Sequence, residues 1–198
     1  MAAEHLVWID CEMTGLDPAS DALVEVACLV TDPELNVLGE GVSVVIKPSA
    51  EAIATMSDFV REMHEASGLL AELDSGVDMA TAQAAVLAYV REHVPAGKAP
   101  LAGNTVGMDK VFLERDMPEL MAHLHYRVVD VSSIKELARR WYPRVFFNAP
   151  VKHGGHRALG DIRDSIRELE YYRATVFVPA PGPDSDAAKA AAEALTES

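Results

Sequence analysis

Three short runs rich in Val, Ile and Leu open the chain: residues 6–10 (LVWID), 22–31 (ALVEVACLVT) and 41–46 (GVSVVI). Each predicts a strand. The segments between them, around residues 16–21 and 32–39, carry Pro, Asp, Asn and Gly. They are too short for helical crossovers, so the three strands should be antiparallel neighbours. Helical spacing then takes over. Ser57 can cap a helix bearing Phe59, Val60, Met63, Leu69 and Leu70, and a second helix over residues 81–93 presents Val86, Leu87 and Val90 as its apolar stripe. Next come a short apolar segment at 100–102, a helix over 107–124 and a strand at 126–131. A helix over 134–142, capped by Ser132 or Ser133, follows the strand. A loop with Pro143 and Pro150 then passes through His153, Gly154 and Gly155 to a last long helix, 156–176.

Strands first and βα alternation afterwards predict an α/β fold, a mixed five-stranded sheet flanked by helices. Residues 1–178 read as one domain. From residue 179 the composition shifts to Pro, Ala, Asp and Glu, which predicts a mobile tail within which AAKAAAEAL can be transiently helical.

Composition narrows the class. The length of 198 residues and 49% hydrophobic content suit a soluble protein with a sizeable core. No apolar run reaches the ~20 residues a membrane span needs. The first residues hold no basic cluster followed by an apolar stretch, so no secretory signal is expected. Two cysteines, Cys11 and Cys28, are too few for a disulfide scaffold or a zinc site, which points to a reducing, cytoplasmic setting. The net charge of −14 disfavours a binder of long nucleic acid, because such proteins neutralise many phosphates with Lys and Arg. A substrate with one or two phosphates is compatible with it, since bound cations can balance the charge.

The candidate chemistry lies in three places. Side chains alternate along a strand, so Trp8, Asp10 and Glu12 share one face, and Ile9 and Cys11 share the other. Two carboxylates so close repel unless a cation lies between them, and hard oxygen donors suit Mg²⁺ or Mn²⁺. Asp109 opens a helix after AGNTVGM, and His156 and Asp161 stand five residues apart near the start of the last helix. Gly154 and Gly155 would give the loop before His156 mobility or a positive φ. Taken one at a time, each is also an ordinary feature: a polar strand end, an acid favoured by a helix dipole, an exposed histidine.

Together and in this order, Asp-x-Glu, Asp and His-x4-Asp form the pattern of the DEDDh exonucleases, which carry an RNase H-like fold. The stretches WIDCEMTGLDP, EVACLVTD, AGNTVGMDKVFLERDMPEL, YRVVDVSSIKELARRWYP and HRALGDIRDSIRELEYYR resemble oligoribonuclease in its own order, across about residues 6–173. Gly160 stands where that family often has a second acid, and Thr105 where it often has Ser. The resemblance implies a 3′→5′ exoribonuclease acting on short RNA, dinucleotides above all, including linear products of cyclic-dinucleotide breakdown. It implies that Asp10, Glu12, Asp109 and Asp161 hold two divalent cations, Mg²⁺ or Mn²⁺, with His156 as general base. It further implies that Leu16 wedges between two bases and that Tyr126 stacks on a base from the partner of a homodimer. His64, Thr105, Arg127, Ser132 and Lys135 would surround the 5′ phosphate and stop the site at two nucleotides.

Rival readings remain at this point. DCEMT is loosely similar to the Asp-x-Asp-x-Thr start of haloacid dehalogenase-type phosphatases, in which His156 would have no part. A proofreading-type DNA exonuclease could use the same five groups. A binding module that has lost catalysis would have no reason to keep all five.

Overall fold

The computed structural model describes residues 4–153 and 155–195. Gly154 and the last three residues of the tail lie outside the described residues. Strands β1 (Leu6–Met13), β2 (Leu23–Thr31) and β3 (Val37–Val45) pair antiparallel in sequence order. The first strand runs three residues past its expected end. Its ladder with β2 continues through Glu12↔Glu25 and shifts only between Glu12 and Met13. Asp10 and Glu12 therefore sit within a strand, with backbone positions fixed by cross-strand bonds.

All nine residues of β2 are buried, as a run covered on both faces must be. The third strand begins earlier than the expected Gly41, which has φ +85° beside a shift in register between Cys28 and Val30. A Cβ at Gly41 would collide with Leu29 Cδ2, so glycine is needed where this edge strand bends onto β2.

After β3 come α1 (Ala50–Thr55), α2 (Asp58–Ala66) and α3 (Leu69–Glu72). Ser57 caps α2 as expected, its side chain accepting from the Val60 amide. Leu69 and Leu70 fall in a separate helix because Gly68 turns the chain at φ +80°. Next is α4 (Met79–His93), whose cap is Asp78.

Strand β4 (Pro100–Gly103) joins β1 in parallel. Proline then breaks the expected 107–124 helix into α5 (Gly107–Asp116) and α6 (Pro118–His123), since Pro118 fits a first helical turn and not an interior. Strand β5 (His125–Asp130) pairs in parallel with β4 and completes a five-stranded sheet of order β3-β2-β1-β4-β5.

Helix α7 (Val131–Trp141) is capped by Asp130 rather than by Ser132 or Ser133; the Asp130 side chain accepts from the Ser132 amide. A short α8 (Pro143–Phe147) replaces part of the expected loop. The long α9 (Ala158–Thr175) starts two residues later than expected because His156 has φ +59° and Arg157 is extended. Within the tail, α10 (Ser185–Ala194) buries no residue.

Two cores follow from the strand alternation. Val7, Ile9, Cys11, Val26 and Cys28 pack with Val86, Leu87 and Val90 of α4. Trp8, Ala27 and Leu29 pack on the other face with Ile162, Ile166 and Leu169 of α9. That second face is the one that carries Asp10 and Glu12, so the sheet presents both acids toward the helix that brings Asp161.

Candidate metal centre and substrate wall

Carboxylate oxygens of Asp10, Glu12 and Asp161 all lie within 4.8 Å of one another. Strand pleat aligns the first two, and the first turn of α9, where a helix dipole favours an acid, supplies the third. Asp109, in the first turn of α5, is buried and accepts the Cys11 backbone N–H at 3.0 Å. It thus binds the strand between the two β1 acids, beside the three whose oxygens meet rather than among them.

The electrostatics record the crowding. Burial, followed by the charges of Asp109, Asp161 and Glu12, pushes the Asp10 carboxyl up to about 9. Burial and then Asp161, Glu25 and Asp109 push Glu12 up to about 8, with Arg157 opposing. Burial raises Asp109 to about 6 against hydrogen bonds from its own backbone and Cys11 that hold it down. Asp161 is raised chiefly by burial, and the His156 charge opposes the shift. Asp10 and Glu12 so placed retain protons near neutral pH unless a cation compensates them. The donor set is all hard oxygen, so the cluster fits a divalent cation of the Mg²⁺ or Mn²⁺ kind.

His156 is exposed, on a loop where Gly155 also has a positive φ of +67°. With Phe59, Met63 and Ser67 it lines a cleft of about 380 Å³. His64, expected beside a terminal phosphate, is instead fully buried. Its Nε2 lies 2.8 Å from the Met13 carbonyl, and its Nδ1 faces Glu12 Oε2 at 3.9 Å with no hydrogen-bond partner among the described residues. It therefore backs the carboxylate strand and does not line an open pocket.

The remaining expected substrate residues fall into two groups. Thr105 (φ +64°) donates its N–H to Asp130 Oδ1 at 2.9 Å, and Ser132 donates both amide and hydroxyl to the same oxygen at 2.8 and 2.6 Å. Lys135 pairs with Glu168 at 3.1 Å. Glu168 also receives Lys152 at 3.3 Å and Asn104 Nδ2 at 2.7 Å, which joins these residues into one polar wall. Leu16 and Tyr126 stand exposed at 67% and 78%, and the Arg127 guanidinium lies 5.7 Å from the Tyr126 ring centre.

The sequence reading missed Glu25, Arg157, Lys152 and Glu168. A signal for Glu25 was present, namely a lone acid within the continuous apolar run ALVEVACLVT.

Comparison with known proteins places the chain in a family. A family model described as Exonuclease (RNase_T) matches residues 7–169. The oligoribonuclease of Streptomyces coelicolor is 68% identical over 190 residues, 96% of this chain and 95% of that one. Its counterpart in Streptomyces griseus is 66% identical over 194 residues, 98% and 96% of the two chains. Among solved structures, a zinc-bound complex of Escherichia coli ExoI with single-stranded DNA is similar in fold. Its TM-score is 0.68 at 17% identity; the similarity covers 88% of this chain and 41% of that one.

Proposed function

The chain belongs to the Exonuclease family and, within it, to the oligoribonucleases, and from this premise we propose how its residues divide the reaction. It is a 3′→5′ exoribonuclease of short RNA. Membership of that family displaces the phosphatase alternative. The observation that carries the mechanism is the meeting of Asp10, Glu12 and Asp161 oxygens within 4.8 Å, with Asp109 bonded to the strand beside them.

These four acids would hold two divalent cations, Mg²⁺ or Mn²⁺. When bound, the pair supplies activation of the attacking water and stabilisation of the leaving 3′ oxygen. The protein's own part is to fix the four carboxylates and to move one proton. His156 takes it from the water through its imidazole. Its exposure on a loop lets it return that proton to solvent after each cycle. The product is a nucleoside 5′-monophosphate.

Substrate length is set on the opposite side. Thr105, Ser132, Lys135 and Arg127 surround the 5′ phosphate; Asp130 orients Thr105 and Ser132, and Glu168 orients Lys135. His64 contributes from behind, through Glu12. Leu16 wedges between two bases and Tyr126 stacks on one from the partner subunit of a homodimer. The exposed Leu137, Trp141, Tyr142 and Phe147 of α7, α8 and the turn between them support a covered apolar face. The preferred substrate is an RNA dinucleotide, including the linear products of cyclic-dinucleotide breakdown. Catalysis is confined to the domain over residues 1–178, and residues 179–195 form a mobile appendage to a cytoplasmic enzyme. Among the described residues, no helix is long and apolar enough to cross a membrane.

A timed digestion of 5′-labelled RNA of two, three, five and ten nucleotides, beside DNA of equal lengths, tests this reading with Mg²⁺, Mn²⁺ or EDTA. Metal-dependent release of monophosphate, fastest on the RNA dinucleotide, is expected. Cleavage indifferent to length would remove the phosphate cap, and cleavage in EDTA would remove the cations.

A further inference from the structure

Arg157 stands directly after His156 and four residues before Asp161, yet its side chain is committed elsewhere. The guanidinium reaches two carboxylates from two other elements. Its Nε lies 3.3 and 3.2 Å from the two Glu25 oxygens, and its Nη2 lies 3.0 Å from one of them. On its other side Nη1 and Nη2 meet Glu72 at 2.8 and 3.2 Å. Only a planar fork with five donors can make two such contacts at once; an ammonium cannot.

Glu25 is itself fixed. It is buried in β2, directly opposite Glu12 in the ladder, and accepts the Ser43 hydroxyl at 2.9 Å. It also takes the Ala158 amide at 3.2 Å. That amide is the first of α9, a helix whose own N-cap residue offers no side-chain bond. An acid of the neighbouring strand, on the face that α9 covers, thus closes the helix start that Arg157 approaches.

The backbone beside it is unusual. Gly155 and His156 are both left-handed, at φ +67° and +59°, and a non-glycine residue persists there only when its surroundings over-determine it. The fork on Glu25 and the captured Ala158 amide are what fix the chain on the C-terminal side of His156. Glu72 adds a second anchor. It ends α3, which follows the helix whose Phe59 and Met63 line the cleft with His156.

We propose that Arg157 is a positioning residue. By gripping Glu25 on β2 and Glu72 on α3, it sets where the His156 imidazole stands over the carboxylates, without touching substrate or cation. The inference rests on the general-base reading of His156.

The test is a double-mutant cycle on the RNA dinucleotide, with kcat and KM measured separately and Mn²⁺ affinity measured by calorimetry. Arg157→Gln should lower kcat about 10²-fold, the scale on which a misplacement near 1 Å acts. KM should stay within about twofold and Mn²⁺ should still bind, since neither the wall nor a cation ligand is removed. Arg157→Lys, which keeps the charge and loses the fork, should recover only part of the loss. In a His156→Ala background, Arg157→Gln should cost almost nothing further, because its effect passes through the imidazole.

Losses that multiply in the double variant would overturn the proposal, as would an unchanged kcat in a folded Arg157→Gln. If His156→Ala alone left turnover intact, the general-base reading would fall as well, and that single variant shows it before the cycle is closed. Should Arg157→Gln fail to fold, Glu72→Gln, which alters the more exposed anchor, takes its place. A loss of about threefold in kcat, absent in the His156→Ala background, supports the proposal, and no loss contradicts it.

Discussion

In the proposed mechanism the acids of β1 and the histidine before α9 serve one reaction, but they are held in opposite ways. Asp10 and Glu12 lie within a strand paired to β2, on the face covered by α9. His156 is exposed, left-handed and outside any element. Charges that must stay close against their own repulsion need a backbone that cannot relax, and a central strand supplies one. A group that must exchange protons with water needs access to it. The comparison teaches that rigidity follows the electrostatic load, while the proposed proton carrier stands on a joint fastened at one end.

The sharpest way to break the comparison is at the rigid end. Asp10→Asn should abolish turnover and remove the thermal shift produced by Mg²⁺. It should also raise the Tm of the metal-free protein by about 2–4 °C, as relief of roughly 1 kcal/mol of repulsion would in a chain of this size. Scanning calorimetry with and without Mg²⁺ reads both effects, and a lowered metal-free Tm would deny that the acids are held against repulsion. At the mobile end, His156→Ala should reduce kcat about 10²–10⁴-fold in steady-state assays, the span of general-base contributions. Tyr126→Ala should raise KM for a dinucleotide about tenfold, within the ~1–3 kcal/mol a stacked base contributes, and leave kcat nearly unaltered.

The pH dependence sharpens the account with a smaller effect. Asp10 and Glu12 are raised to about 9 and about 8, above their values of 3.8 and 4.5 in an unfolded chain. Between those limits the folded metal-free protein binds more protons than the unfolded one, so its stability falls as pH rises from about 4 toward 9. A divalent cation should cancel that loss. The Mg²⁺-induced rise in Tm should therefore be larger at pH 8.5 than at pH 6, and an equal rise at both would remove the cluster's coupling to protons. Smallest of all, Arg140→Ala should change stability by under ~0.5 kcal/mol, because its pair with Glu136 is exposed.

How far the sequence carried these conclusions varied with the physics involved. The strand face shared by Trp8, Asp10 and Glu12 was legible because the pleat has a period of two, and local geometry alone decides it. The shift from strands to βα units was legible for a similar reason, and so was the Ser57 cap. Pro118 was visible in the sequence, but the apolar spacing on either side of it hid the break. The choice of Asp130 over Ser132 and Ser133 as cap turned on where β5 ended, a boundary that propensity does not fix. Least legible were contacts that depend on how elements pack. Glu25 and Arg157 are 132 residues apart, and nothing local pairs them. His64 entered by family likeness alone, and its burial beside Met13 and Glu12 depends on packing that no local pattern shows. Family likeness supplied the list of acids; the reason Asp109 stands slightly apart, bound to the Cys11 amide, came from the fold.

The central claim is that the carboxylate cluster holds the cation and His156 moves the proton, as separable tasks. A calorimetric titration of Mn²⁺ into wild-type and His156→Ala protein at pH 7.5, with turnover of the RNA dinucleotide measured on the same samples, tests it most directly. The account predicts Mn²⁺ affinities equal within about twofold and turnover at least about 10²-fold apart. Loss of Mn²⁺ binding in His156→Ala, or turnover equal to wild type, would contradict it.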